Sequence, residues 1–331
     1  MSRPNPLKID RTRTRTKQNA MAMMLRGRWN ALATDITNLI DGQDIFGLRI
    51  IENSAWRFNT KDEQVQQFMK WVESQMAGYF PPNVDQDAML QQYVNETYAH
   101  GMSRAFDAVK KDAKLLAVPE FYAGTRAQFL QDSFFRPASL EIVKSLAGRV
   151  LTELQGVNSQ MAVQMQRTLT DALIQGKGPR EIARELSGQV RGLSKKQSEK
   201  IARTEIVRAY NEGQLTSMEN LGVEDLGVAV EWSDSGMGLT AKGNPSPCRL
   251  CAPLVGIVVK TKKARGMLPR HPFCMCSWIP AGFGVDEKGQ KTTRDRINKS
   301  VARSLRAERP KEKSVKEARK KSTWSGKDVR I

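Results

Sequence analysis

The chain has 331 residues and a mass of 37.2 kDa, room for about two domains at the usual ~100–200 residues each and for a sizeable core. Lys and Arg number 53 against 35 Asp and Glu, a formal charge of +18 with a pI near 9.9, so the surface repels itself unless it meets a polyanion, nucleic acid first among candidates. A hydrophobic fraction of 40% and mean hydropathy of −0.50 exclude fibrous and wholly disordered classes, and no run approaches the ~18 apolar residues of a membrane span.

Residues 1–20 carry Arg3, Lys8, Arg11, Arg13, Arg15 and Lys17 against a single Asp10. With no apolar period, they read as a flexible arm. The stretch from Met1 to Met24 has no apolar core of signal-peptide length before Arg26, Arg28 and Asp35, which predicts a chain that stays in the cytoplasm where it is made. From Asp62, the residues Val65, Phe68, Met69, Val72 and Met76 form one apolar stripe at helical spacing, ended by Pro81-Pro82. A second helical stretch runs from about Asp87 to Leu116 and carries His100, read as an ordinary helix histidine.

After Pro137 comes another stripe, Leu140, Val143, Leu146, Ala147, Val150, Leu151 and Leu154, then Met161, Met165, Leu169, Ala172 and Leu173, closed by Gly176. Pro179 opens a short helix with Ile182, Ala183 and Leu186 inward and Gly188 as its stop. Ser194 and Gln197 have the spacing of a capping box, which predicts a new helix through about Asn220. On it, Glu205, Arg208 and Glu212 are spaced for a ladder of ion pairs on one face, with Ala202, Ile206, Ala209 and Tyr210 inward. Beyond Gly222, the runs Val228–Trp232 and Ile257–Val259 read as short strands between glycine and proline turns.

All four cysteines fall in this β-like segment: Cys248-Arg-Leu-Cys251, and then His271-Pro-Phe-Cys274-Met-Cys276. In a reducing compartment such a cluster reads as a metal site, because thiolates held close together repel unless a cation lies between them. Zinc suits the set, as a closed structural site built from four of the five candidates Cys248, Cys251, His271, Cys274 and Cys276. The one-residue gap between Cys274 and Cys276 leaves either His271 or Cys276 as the spare. Free thiols, a redox pair, or Cys274 as a nucleophile with His271 as base are the competing readings. Pro247, Pro253, Pro269 and Pro272 frame both halves as rigid turns, and no third group stands by to orient the histidine. From Lys288 to Ile331 there are sixteen Lys and Arg against five Asp and Glu, a net of +11, which fits salt-dependent contacts to phosphates without base reading.

Taken in order, Ile174-Gln-Gly176-Lys-Gly178-Pro-Arg-Glu-Ile-Ala183, Ile201-Ala-Arg-Thr-Glu205, Ala209-Tyr-Asn-Glu-Gly213, Gly222-Val223, Trp232, Cys248-Arg-Leu-Cys251-Ala-Pro-Leu-Val-Gly256 and His271-Pro-Phe-Cys274-Met-Cys276 resemble the phage Mu F-like family of minor head, or head morphogenesis, proteins of tailed bacteriophages. The likeness covers about residues 120–283. Phe273 and Met275 stand where the family more often has Asn and Arg, and the loop before Cys248 is long and glycine-rich. The resemblance implies a virion protein incorporated in few copies during procapsid assembly in the host cytoplasm. Its implied partners are the portal protein, other capsid or scaffold proteins, and double-stranded DNA bound without sequence preference.

The resulting expectation is an α+β chain, predominantly α-helical, with a small β-rich zinc-knuckle module and basic, partly disordered termini. Its divisions are a basic N-terminal arm and lead-in (1–60), an N-terminal helical region (61–135), the helical part of the F-like domain (136–222), the β-rich Cys/His module (223–285) and a basic tail (286–331). No catalytic residue is assigned. The alternative, a metal-dependent nuclease or other nucleic-acid-processing enzyme, draws on the same charge and on Glu205 near a possible zinc; it needs an open metal position and a second acidic group.

Overall fold

A computed structural model describes residues 12–49, 58, 60–115, 122, 124–222, 229–233, 238–239, 245–246 and 250–281. The basic tail, the first residues of the arm and Cys248 lie outside the described residues. Within them the protein is predominantly helical, with a small three-stranded antiparallel sheet. The helices are α1 (Arg15–Thr37), α2 (Lys61–Tyr79), α3 (Ala88–Leu115), α4 (Arg126–Phe134), α5 (Pro137–Ile174), α6 (Pro179–Asn220) and the short α7 (Thr261–Ala264). No described helix is long and apolar enough to cross a membrane.

The arm predicted over residues 1–20 is shorter than its charge suggests, because α1 begins at Arg15. Its buried stripe, Gln18, Met21, Leu25, Trp29, Leu32, Ala33 and Ile36, starts inside the basic stretch, while Arg13 and Arg15 point to solvent. Basic side chains on one face of a helix say nothing about the opposite face. The α1 helix packs chiefly along α6, and the Trp29 indole N–H donates to Asn158 Oδ1 of α5 at 3.0 Å. Arg28 closes the α1–α3 end through a two-pronged pair with buried Asp87, at 2.5 and 2.8 Å. Asp87 also accepts the Leu90 N–H at 3.1 Å and so caps α3.

All five residues of the predicted α2 stripe are buried, and Thr60 caps the helix by accepting the Glu63 N–H at 3.2 Å. In α5 the predicted stripe is buried with one exception, Leu140, which is 43% exposed one turn into the helix. The largest correction concerns α6. Gly188 does not stop it and Ser194 does not cap a new one; the helix runs unbroken for 42 residues. Ser194 is buried, and its hydroxyl donates back to the Arg191 carbonyl at 2.9 Å, satisfying itself inside the helix instead of at an end. Gly188 and Gly192 sit exposed, with open space where a Cβ would be.

The sheet has the strand order β4 (Val258–Val259), β1 (Ala229–Ser233), β5 (Ser277–Ala281). Glu231 lies opposite Val258 on one side, and Trp232 lies opposite Trp278 on the other. A separate two-stranded pair joins β2 (Gly238–Leu239) and β3 (Pro245–Ser246). Strand β5 went unread in the sequence because Pro280 interrupts it; an edge strand tolerates proline. Trp232 and Trp278 stack edge to face at 5.4 Å in a core they share with Leu215 and Met218 of α6 and Phe106 of α3. The sheet is thus seated on α3 and α6.

Candidate metal centre

Three segments bring the cysteines together. Cys251 stands just before a single 3-10 turn, Ala252–Leu254, that Pro253 favours. Cys274 sits in the Arg270–Cys276 loop, where its N–H donates to the His271 carbonyl at 3.1 Å and Phe273 takes a left-handed φ of 63°. Cys276 immediately precedes β5. The sulfurs of Cys251, Cys274 and Cys276 all lie within 4.8 Å of one another, and all three residues are buried.

The donor set fits a tetrahedral ion. With metal–sulfur bonds of about 2.3 Å, two thiolates at tetrahedral positions sit about 3.8 Å apart, and Cys251 Sγ lies 3.8 Å from Cys274 Sγ. His271 adds a fourth donor on one side, its Nε2 3.3 Å from Cys251 Sγ. The other ring nitrogen settles the tautomer: Nδ1 lies 2.6 Å from the Pro272 carbonyl, which can only accept. Nδ1 therefore donates to that carbonyl and Nε2 is the nitrogen turned to the cysteines, the orientation that metal-binding histidines use. Of the five predicted ligands, the structure brings together Cys251, Cys274 and Cys276, with His271 beside Cys251; Cys248 falls outside the described residues.

Without a cation the thiols share charge unevenly. A hydrogen bond from Cys251, and then one from Cys276, holds the Cys274 thiol far below its ordinary pKa, against the pull of burial. The same contact with Cys274, then Cys276 and burial, pushes Cys251 far up. Three thiols buried this close together cannot all ionise against one another's charge, and a divalent cation between them lets them do so.

No protein-family model, curated protein or solved structure matches the chain. The chemistry of the site therefore rests on its own geometry.

The residues that hold the loop come from α6, and the sequence reading gave them another role. Of the predicted ladder, the Glu205–Arg208 pair forms, while Glu212 pairs outside the helix with Arg265. The Glu205 side chain is only 4% exposed and pairs with Arg149 of α5 at 3.4 Å as well as with Arg208 at 3.1 Å. Burial raises its pKa, and the charges of Arg208 and Arg149 oppose that rise. Glu212 turns to the β module: it accepts from Arg265 Nη1 at 2.9 Å and from the Gly266 N–H at 2.9 Å, and Arg265 also pairs with Glu219. Thr204 Oγ1 accepts the Phe273 N–H at 3.4 Å, and the Arg203 guanidinium lies 5.5 Å from the Phe273 ring centre.

Asn211 has the most specific role. Fully buried, it donates to the Cys276 carbonyl at 3.2 Å and accepts the Trp278 N–H at 3.2 Å, and so fixes the backbone on both sides of Ser277. Sequence reasoning missed it. The available signal was its position: an amide next to Tyr210 in a buried turn of α6 has to find partners.

Proposed function

We propose that the chain is a non-enzymatic minor head protein of a tailed bacteriophage, of the phage Mu F-like kind. In this reading it joins the portal vertex during procapsid assembly in the host cytoplasm and remains in the phage head, touching packaged or ejected DNA. The observation that carries the reading is the packing of Arg203, Thr204, Asn211 and Glu212 directly onto the Arg265–Trp278 segment. Three of the motif blocks behind the resemblance, two on α6 and one distant in sequence, thus pack as one unit around the cysteines. Zinc held by Cys251, Cys274 and Cys276, with His271 or Cys248 as the fourth ligand, would supply folding energy to the β module and, with four protein ligands, leave no position for substrate. The charge of the chain, +18 overall and densest toward the C-terminus, supports a duplex partner bound through phosphates.

Two measurements test this. Elemental analysis should give about one zinc per chain, with thiols that react only after chelation; metal-free protein with freely reacting thiols defeats the zinc assignment. Removal of residues 286–331 should lower duplex affinity and flatten its dependence on salt; unchanged affinity and slope would remove the DNA contact.

The nuclease reading has one observation on its side, since Glu205 and His271 line the same pocket. Glu205, however, is held between two arginines, and the other carboxylate of that pocket, Glu153, is exposed on α5, whereas metal-assisted hydrolysis needs carboxylates free to hold the ion. Cleavage of duplex DNA dependent on added zinc or magnesium would establish that reading in place of the first.

A further inference from the structure

Beside the cysteine cluster, a pocket of about 280 Å³ opens between α5, α6 and the Pro269–Pro272 segment. Its wall carries four cationic side chains, Arg149, Lys200, Arg208 and Arg270, against two carboxylates, Glu153 and Glu205. Glu153 is exposed at its place on α5. Glu205 is buried and committed: it engages Arg149 and Arg208 through their Nε atoms. Among the described residues, the terminal amino groups of both guanidiniums have no partner. Arg270 adds a further positive charge to the wall; its Nε is shut off from solvent and has no hydrogen-bond partner among the described residues.

Arginine forks fixed along one edge present the other edge ready-ordered for an oxyanion. Thr204, on the same wall, already accepts the Phe273 N–H with its oxygen, which leaves its hydroxyl hydrogen free to donate. The volume lies below the roughly 300–1,000 Å³ of clefts that enclose drug-sized ligands, so the occupant is compact. Its donors are all of the kind that recognise tetrahedral oxyanions.

We propose that this pocket binds a phosphate group, gripped by the free guanidinium edges of Arg149 and Arg208, with Arg270 and Lys200 supplying the remaining positive wall. Two sources share that chemistry: a phosphodiester of the DNA backbone, or free phosphate and phosphate monoesters. The choice of the phosphodiester rests on the function proposed above; the pocket itself does not.

The test uses the full chain and two probes, inorganic phosphate by titration calorimetry and a short duplex by fluorescence anisotropy over a range of salt. Arg149→Ala is the informative variant, because Arg149 is 49% exposed and Glu205 keeps Arg208 when it is removed. Arg149→Lys preserves charge and loses the fork, so it covers the case in which the alanine variant misfolds, and a matched melting profile certifies either. Inorganic phosphate should bind saturably, with affinity reduced tenfold or more by Arg149→Ala and less by Arg149→Lys. Duplex affinity falling in parallel, with the salt slope reduced by about 1, assigns the site to the DNA backbone. Reduced phosphate binding with duplex binding unchanged assigns it to free phosphate or a monoester. Wild-type protein that binds phosphate but no duplex sinks the DNA-contact reading and leaves the pocket standing. Phosphate that does not bind, or binds equally well to both variants, overturns the proposal.

Discussion

Gly101 of α3 and Gly213 of α6 meet each other's helices reciprocally: Gly101 lies against the Tyr210 carbonyl, and Gly213 lies against the Tyr98 carbonyl. At each glycine, the hydrogen that replaces a Cβ points at a backbone oxygen of the opposite helix, a close Cα–H···O approach. A methyl group at either place would overlap that oxygen, and backbone cannot rotate away as a side chain can. Gly101→Ala and Gly213→Ala should each cost about 1–3 kcal/mol or more, read as a lowered denaturation midpoint. A loss below 0.5 kcal/mol would show that the two helices do not cross there.

Opposite behaviour is expected where α6 is exposed. Gly188→Ala and Gly192→Ala place a methyl group in open space within a continuous helix, and each should raise stability by about 0.5–1 kcal/mol. A break in the helix near Gly188 would give no gain, so chemical denaturation of the two variants separates one long helix from two short ones.

Asn211→Leu removes the partners of the Cys276 carbonyl and the Trp278 N–H together. Two buried backbone groups left unsatisfied cost about 1–3 kcal/mol each. Because these groups flank a sulfur donor, the variant should also release metal to a chelator more readily than the parent. Unchanged metal retention and stability would show that α6 does not hold the loop.

Chelation of the parent protein should lower its melting temperature and expose Trp232 and Trp278, whose fluorescence would then shift toward that of solvated indole. The cause is that ligand binding energy at such a site is folding energy. Cys274→Ser should reproduce the loss and make the protein insensitive to chelator. A chelator-insensitive parent would mean that the buried thiols stand alone.

The pH response has a definite sign at His100. Its Nε2 donates to the Thr12 carbonyl at 3.1 Å, and its ring lies 5.6 Å from that of Tyr210. Burial lowers its pKa below 6.5, the nearby charges of Lys17, Arg104 and Arg13 push the same way, and the Thr12 contact opposes them. The unfolded chain therefore takes up the proton first as pH falls. The contribution of His100 to stability is complete above about pH 6.5 and declines as the pH drops toward the folded value. His100→Gln should flatten the fall of melting temperature across that window, and an unaltered slope would place the titrating group elsewhere.

Legibility in the sequence followed the physics of each element. The α2 stripe was readable because Val65, Phe68, Met69, Val72 and Met76 recur at one helical period with polar residues between them. The cysteines were readable because their crowding has few chemical explanations. The start of α1 was hidden by arginines on its outer face, and the continuity of α6 by glycines and a serine that usually mark helix ends. Glu205 and Glu212 show the deeper reason. Their spacing along α6 gave the Glu205–Arg208 pair, and only Arg149 and Arg265, brought in from other elements, account for the burial of both carboxylates.

The long embrace between α1 and α6 sets the order of synthesis against the order of packing. A ribosome delivers Met21, Leu25, Trp29 and Ile36 first and the helix that covers them only after α2, α3, α4 and α5 have been made. Until then the nascent chain carries an uncovered apolar ridge, and its closing contact spans most of the sequence. Such distant pairing slows folding and lengthens exposure to aggregation, so α1 is the helix that must wait longest for its place.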